Sequence, residues 1–242
     1  DQLLVERGLA ATRSQAQRLI AAGVRWREGA QWKAVTKNGD ELPAAAELQL
    51  LDDAETRYVS RGGLKIEGAL RDAGVAVAGR DCLDVGQSTG GFTDCLLRQG
   101  AARVTGVDVG HGQLHPALRA DARVRVFEKL NARELDGAVV GRDFGLVTGD
   151  LSFISLTLVL PALVPLMAPG ADLLMLVKPQ FELQPGQLGK GGIVRDASLY
   201  AQVEQRIRDA CEAAGLQVRG WHASPIVGGD GNREFFIHAS KA

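Results

Sequence analysis

Apolar positions change their spacing along this chain, and each change marks a different kind of element. In "DQLLVERGLAATRSQAQRLIAAGVRW" they first cluster at Leu3, Leu4 and Val5 and stop at Gly8, a residue suited to the left-handed turn beyond a helix. Ala16, Leu19 and Ile20 then share one helical face. Thr12 precedes them and Gln15 follows it by three, the spacing of a capping box. This second helix is expected to end at Gly23. "VRW", "WKAV" and "ELQLL" read as short strands, broken by "REGAQ" and "KNGDELPA". Residues 1–51 are therefore expected to form a small α+β domain. "DDAETRYVS", residues 52–60, is polar and aperiodic and reads as a linker.

From residue 61 the elements lengthen and alternate. "SRGGLKIEGALRDAGV" predicts a helix entered through a glycine pair, with Leu64, Ala69 and Leu70 facing inward. "CLDVG", "RVTGVDVG", "VRVF", "FGLVTGD" and "ADLLMLVK" read as strands. Between them stand the helices "GFTDCLLRQG" and "ISLTLVLPALVPLMAPG", with "QLHPALRADA" a broken helix or loop and "SLYAQVEQRIRDACEAAG" a helix after the fifth strand. Helical crossovers force parallel neighbours, so the sheet is doubly wound with helices on both faces. "LQVRGWHASP" and "NREFFIHASK" are separated by too few residues for a crossover, so the last strand runs antiparallel. The expected fold class is α/β. Residues 61–242 are expected to form a Rossmann-like seven-stranded sheet, following the small domain in the sequence.

Charge adds one point to this outline. The net charge of -1 favours no partner, but seven Lys/Arg face three Asp/Glu between Asp1 and Gly39. A basic head on a mildly acidic body fits a polyanion, with Arg7, Arg13, Arg18, Arg25, Lys33 and Lys37 as candidate phosphate contacts. Trp26 and Trp32 are available there for stacking or for the core. Three scattered cysteines without C-x-x-C spacing, and four histidines without ligand spacing, predict neither disulfides nor a metal site in a reduced, cytoplasmic protein. The longest apolar stretch, Leu156 to Ala168, is broken by Pro161 and Pro165 and is shorter than the ~18 residues of a membrane span. The chain opens on Asp1 rather than Met, so a few further residues are expected before it.

The chemistry begins at "LDVGQSTGGFTD". In open α/β sheets ligands sit at the carboxyl ends of the strands. Gly86, Gly90 and Gly91 lie in the turn after the first strand of this sheet, but not with the G-x-G-x-x-G spacing that brings backbone against a pyrophosphate. This argues against a nicotinamide dehydrogenase. Asp84 ends that strand and suits an ammonium, while Asp108 ends the next one and suits ribose hydroxyls. Ammonium, carboxylate and ribose without phosphate describe S-adenosylmethionine. Ser88 and Phe92 join the glycines as candidates around the turn. Asn131, after the third strand, either shapes the adenine pocket or caps a helix.

Four further residues are expected at the same rim: Lys65, Asp150, Lys178 and Glu234. Lys178 closes the apolar run "LLMLV", where an ammonium is costly unless paired, and Asp150 is its expected partner. Phe181 is placed to touch a base or ribose, or simply to pack, and "ELQPGQLGKGGIVRDAS" reads as a mobile lid.

Two resemblances follow from these motifs. The first 26 residues are similar to the small RNA-binding domain named after ribosomal small-subunit protein four. Lys65, Asp150, Lys178 and Glu234 resemble the Lys–Asp–Lys–Glu tetrad of FtsJ-like ribose 2'-O-methyltransferases. With "SRGGLK" and "DLSFISL", the whole chain resembles the TlyA family, whose members are known both as haemolysins and as rRNA methyltransferases. The resemblance implies methyl transfer to cytidine ribose 2'-hydroxyls of small- and large-subunit rRNA, with rRNA or ribosomal subunits as partners. It implies Lys178 nearest the hydroxyl, Asp150 positioning it, Lys65 orienting the ribose, and Glu234 holding a lysine or the hydroxyl. Gln87 stands where a small residue is expected, and "GQSTGG" lacks the proline of the wider class. The rival readings are a membrane-active haemolysin and a non-catalytic RNA-binding assembly factor.

Overall fold

The computed structural model describes residues 1–51 and 54–242, in two compact units, 1–61 and 62–242. In the first unit α1 (Gln2–Glu6) and α2 (Arg13–Gly23) precede β1 (Val24–Glu28), β2 (Gln31–Ala34) and β3 (Leu48–Leu50), an antiparallel sheet of order β2-β1-β3. Gly8, at φ +69°, follows α1, as its sequence position predicts. Thr12 Oγ1 accepts from Gln15 N–H at 3.2 Å, but the reciprocal bond of the capping box shifts by one residue, from Ala11 N–H to Gln15 Oε1 at 2.7 Å. Leu4, Ala16, Leu19, Ile20, Val24 and Val35 form a thin core.

The expected linker is not a plain connector. Asp52 and Asp53 lie outside the described residues, but α3 (Ala54–Arg57) is a helical turn and Tyr58 is buried. A short polar turn is too brief for periodicity to reveal, and one aromatic residue suffices to anchor its exit.

The second unit opens with α4 (Gly62–Ala73). Its inward residues include Lys65 and Ile66 with Ala69 and Leu70, while Leu64 is half-buried. Positions 65, 66, 69 and 70 obey the i, i+4 rule, and the inward face includes a lysine because that lysine has partners. Then come β4 (Asp81–Val85), α5 (Gly91–Arg98), β5 (Arg103–Val107), α6 (Pro116–Arg119), β6 (Val124–Phe127), α7 (Gly137–Val140), β7 (Phe144–Gly149), α8 (Leu160–Leu163), β8 (Met167–Val177), α9 (Ser198–Ala213), β9 (Leu216–Ala223) and β10 (Phe235–Lys241). The seven strands run in the order β6-β5-β4-β7-β8-β10-β9. β10 pairs antiparallel with both β8 and β9, and the other pairings are parallel. The expected α/β sheet with an antiparallel last strand is what forms.

Leu173 to Val177 are all at most 1% exposed, which explains the unbroken apolar run of this central strand. The helix expected across "ISLTLVLPALVPLMAPG" breaks up. It becomes a 3₁₀ turn at 156–158, the four-residue α8 and a second 3₁₀ turn at 164–166, and β8 starts already at Met167. Pro161 and Pro165 lack the N–H that a continuing helix needs and crowd the preceding turn.

Candidate functional site

The sheet brings the four rim residues together. Asp150 follows β7, and its N–H donates to the carbonyl of Val85 at 3.0 Å. Phe235 pairs with Val177, so Glu234 and Lys178 leave the sheet side by side. Lys65 enters from the first turn of α4. Lys178 Nζ lies 2.5 Å from Asp150 Oδ1 and donates to Ser152 Oγ at 2.8 Å. Lys65 Nζ lies 3.8 Å from Asp150 Oδ2 and 2.6 Å from Glu234 Oε2. The four charges thus alternate in a continuous chain, Lys178–Asp150–Lys65–Glu234. The Lys65 and Glu234 side chains are only 9% and 2% exposed, and the outer pair is wetter, at 12% for Lys178 and 24% for Asp150. Burial pushes the Glu234 carboxyl above its usual range, and Lys65 opposes that shift.

A cleft of about 370 Å³ opens on Asp150. Its polar wall includes Ser88, Asp108, Gln113, Asn131 and Ser152, and its apolar wall includes Val85, Val107, Val109, Leu130 and Ile154. No lysine or arginine lines it among the described residues. Asp108 is fixed at the wall by two backbone donors, Ser88 N–H and Gly110 N–H, each at 2.7 Å. Asn131 both lines the cleft and caps the 3₁₀ turn at 132–134, its Oδ1 accepting from Arg133 N–H at 3.0 Å. The capping reading of that residue therefore holds, and the residue also lines the cleft.

Gly86 ties the cleft to the charge chain. It sits at φ +84°, and a Cβ there would lie 2.4 Å from the carbonyl oxygen of Asp150. The glycine lets the two turns touch. Gly90, at φ +102°, answers to packing instead, since a Cβ would lie 2.4 Å from Leu118 Cδ1. Gly91 begins α5 and is buried.

Of the residues expected at the cofactor, Asp84 and Phe92, like Gly90 and Gly91, do not line this cleft. Phe92 is 4% exposed and its ring packs on Phe236, with centroids 6.1 Å apart, so it is a core residue. Asp84 is fully buried behind the glycine turn and does not line the cleft. Its Oδ2 accepts from Thr93 Oγ1 at 2.7 Å, and Thr93 Oγ1 in turn accepts from Gln87 Nε2 at 2.8 Å. Asp84 Oδ1 has no hydrogen-bond partner among the described residues. Burial pushes this carboxyl up to about 7, helped by the nearby charges of Asp150 and Asp108 and opposed by Thr93. Asp84 thus shapes the turn from behind. Gln87, unexpected in a small-residue position, is the outer end of the same chain. Its amide occupies the space above Gly106, where a Cβ would lie 2.0 Å from it.

Three residues of the rim went unread in the sequence. Ser152 holds Lys178. Phe153 is 91% exposed at φ +62°, and its ring meets Phe181 at 5.0 Å between centroids. Glu182, 4% exposed, bonds back to Ser155 and Leu156. A polar residue two positions from Asp150, with an aromatic residue beside it, was the available signal. The glycine-rich segment expected as a mobile lid is fastened beside Glu234. Asn232 accepts from Val194 N–H at 3.0 Å and donates to the Gly192 carbonyl at 3.1 Å.

The basic head is less free than its charge count implies. Arg7 donates to the carbonyls of Ala44 and Ala46, Arg13 lies 3.1 Å from Asp1, and Lys33 pairs with Glu28. Arg18 and Arg25 are half-buried and Lys37 is exposed. Trp26 packs on the head core, and Trp32 is exposed.

Comparison with known proteins bears on this geometry. Residues 58–241 match the FtsJ-like methyltransferase family. A 16S/23S rRNA (cytidine-2'-O)-methyltransferase TlyA of Mycobacterium tuberculosis is 46% identical over 237 residues, 98% of this chain and 87% of that protein. Hemolysin A of Brachyspira hyodysenteriae is 35% identical over 239 residues, 98% of each chain. A solved structure from Streptococcus thermophilus, named as a hemolysin, superposes with a TM-score of 0.78 at 40% identity, covering 99% of this chain and 86% of that one. The charge chain and its cleft occupy the matched region, and the chain belongs to the FtsJ-like methyltransferase family.

Proposed function

We propose that this protein transfers a methyl group from S-adenosylmethionine to ribose 2'-hydroxyls of cytidines in ribosomal RNA, and so works in the cytoplasm where ribosomes are built. The observation that carries the reading is the chain Lys178–Asp150–Lys65–Glu234 at the edge of a cleft whose walls suit a nucleoside without phosphates. Asp108, held by two N–H groups, has acceptor capacity left for a ribose diol. The valines and Leu130 suit an adenine between them. The absence of lysine and arginine on the lining fits a cofactor without pyrophosphate, and the cofactor supplies an already activated methyl group.

The chain's own residues then align and deprotonate. Lys178 has three donors, of which Ser152 takes one while Asp150 balances the charge, leaving donor capacity for the ribose oxygen. Asp150 fixes that ammonium and lines the cleft, so the hydroxyl is brought against the methyl-bearing end. The hydroxyl proton would pass to the Lys178–Asp150 pair, whose carboxylate can accept it, as the methyl group moves to the ribose oxygen and the cofactor is left as the neutral thioether. Lys65, locked by Glu234, holds the far oxygen of Asp150. Phe153 offers an exposed ring on which a nucleobase can stack. The head, residues 1–51, supplies a second RNA contact through Arg18, Arg25 and Lys37. The test is transfer of a radiolabelled methyl group to rRNA and to assembled subunits, followed by mapping of ribose methylation. Transfer to a base, or none to any rRNA substrate, refutes the reading.

A further inference from the structure

Two loops carry the reactive groups, and one buried carboxylate ties them together. The first loop runs from Asp150 to Ser155 after β7, and the second from Lys178 to Glu182 after β8. At the reacting end they meet through Asp150–Lys178, Ser152–Lys178 and the rings of Phe153 and Phe181. At the far end Glu182 crosses from the second loop to the first. Its Oε2 accepts from Ser155 Oγ at 2.5 Å and its Oε1 from Leu156 N–H at 2.8 Å.

Leu156 opens a 3₁₀ turn whose leading N–H groups lack partners within the turn. Glu182 therefore caps that turn from another loop, beside the local cap made by Ser155. The backbone of Glu182 is itself anchored, since Arg206 of α9 donates to its carbonyl at 2.8 Å. Burial raises the carboxyl above its usual range, so the site works against the charge it contains. An apolar side chain would fill this place without that cost, but it would make no bond between the loops. The first loop also holds Phe153 at φ +62°, a conformation that a loose loop would relax.

We propose that Glu182 is a positioning residue for methyl transfer, a latch that sets the spacing of the two loops and thereby keeps Lys178 between Asp150 and Ser152. The inference rests on the methyl-transfer reading above. The latch depends on shape and hydrogen bonding, so glutamine should replace it: the amide oxygen would accept from Leu156, and the amide nitrogen would donate to Ser155.

The experiment compares the full chain with Glu182→Ala and Glu182→Gln in three measurements. These are single-turnover methylation of rRNA, S-adenosylmethionine affinity, and the acylation rate of Lys178 read by mass spectrometry. Glu182→Ala should slow methyl transfer ten-fold or more and raise Lys178 labelling at least three-fold, with cofactor affinity within two-fold of the parent. Glu182→Gln should restore both transfer and protection to within two-fold. An unchanged rate in Glu182→Ala overturns the latch. So does an equal loss in both variants, or a collapse of cofactor affinity. If the parent chain transfers no methyl to rRNA, the functional reading fails, and the labelling contrast between the two variants still decides the latch.

Discussion

Replacing Lys178 by methionine separates a catalytic lysine from a structural one. The substitution keeps most of the length of the side chain and removes its charge. Lys178 is 12% exposed and makes two contacts, with Asp150 at 2.5 Å and Ser152 at 2.8 Å. Breaking a buried pair from one side costs about 3–5 kcal/mol, because a charge is left without a partner. Here Asp150 keeps a second cation, Lys65 at 3.8 Å, and is itself 24% exposed, so a loss of about 1–2 kcal/mol is expected. In a domain of this size that lowers Tm by roughly 2–8 °C. The fold and the cleft should survive, since Lys178 does not line it. Methyl transfer, by contrast, should fall by about 10²–10⁴-fold, the usual contribution of a positioned proton-transfer group. Lys178→Arg should fail as well, because a guanidinium is broader and planar and cannot replace a compact ammonium between Asp150 and Ser152. The assay is single-turnover methylation of rRNA beside calorimetric cofactor affinity and thermal unfolding. Turnover within three-fold of the parent in Lys178→Met would refute the argument and move the role to Lys65.

Three other outcomes follow from the geometry. Asp108→Ala should weaken S-adenosylmethionine binding about ten-fold or more, since a charged hydrogen bond is worth ~1.5–3 kcal/mol, and unchanged calorimetric affinity in a folded variant contradicts the ribose assignment. Asp84, with a folded-state value of about 7 against 3.8 unfolded, binds its proton more tightly in the fold. Its stabilising contribution is complete below about pH 4 and is lost as pH rises to about 7, a change of about 4 kcal/mol. Asp84→Asn should flatten that part of the stability–pH curve measured by denaturant unfolding, and an unaltered slope would place the titration on another group. Residues 62–242 have their own sheet and core, so the chain without residues 1–61 should fold and bind cofactor while losing rRNA affinity and part of its salt dependence; methylation equal to that of the full chain excludes the head as an RNA anchor.

Much of this molecule was legible without coordinates. Alternating apolar runs with helical spacers leave few alternatives to a doubly wound sheet, and the short turn before the last strand forces the antiparallel ending. Lys178 at the end of "LLMLV" announced itself because a lysine beside a buried strand needs a partner. Tertiary packing decided the rest. Asp84 and Phe92 sit next to the glycine turn in sequence, yet the sheet buries both behind it, and side-chain direction at a strand end is not a local property. Arg7 looked like a free cation until the chain returned 37 and 39 residues later with two carbonyls for it. Phe153, Ser152 and Glu182 lie in loops, where no periodicity marks position. What they touch depends on two strands that are neighbours in the sheet but 18 residues apart in the chain, and only the folded sheet sets that distance.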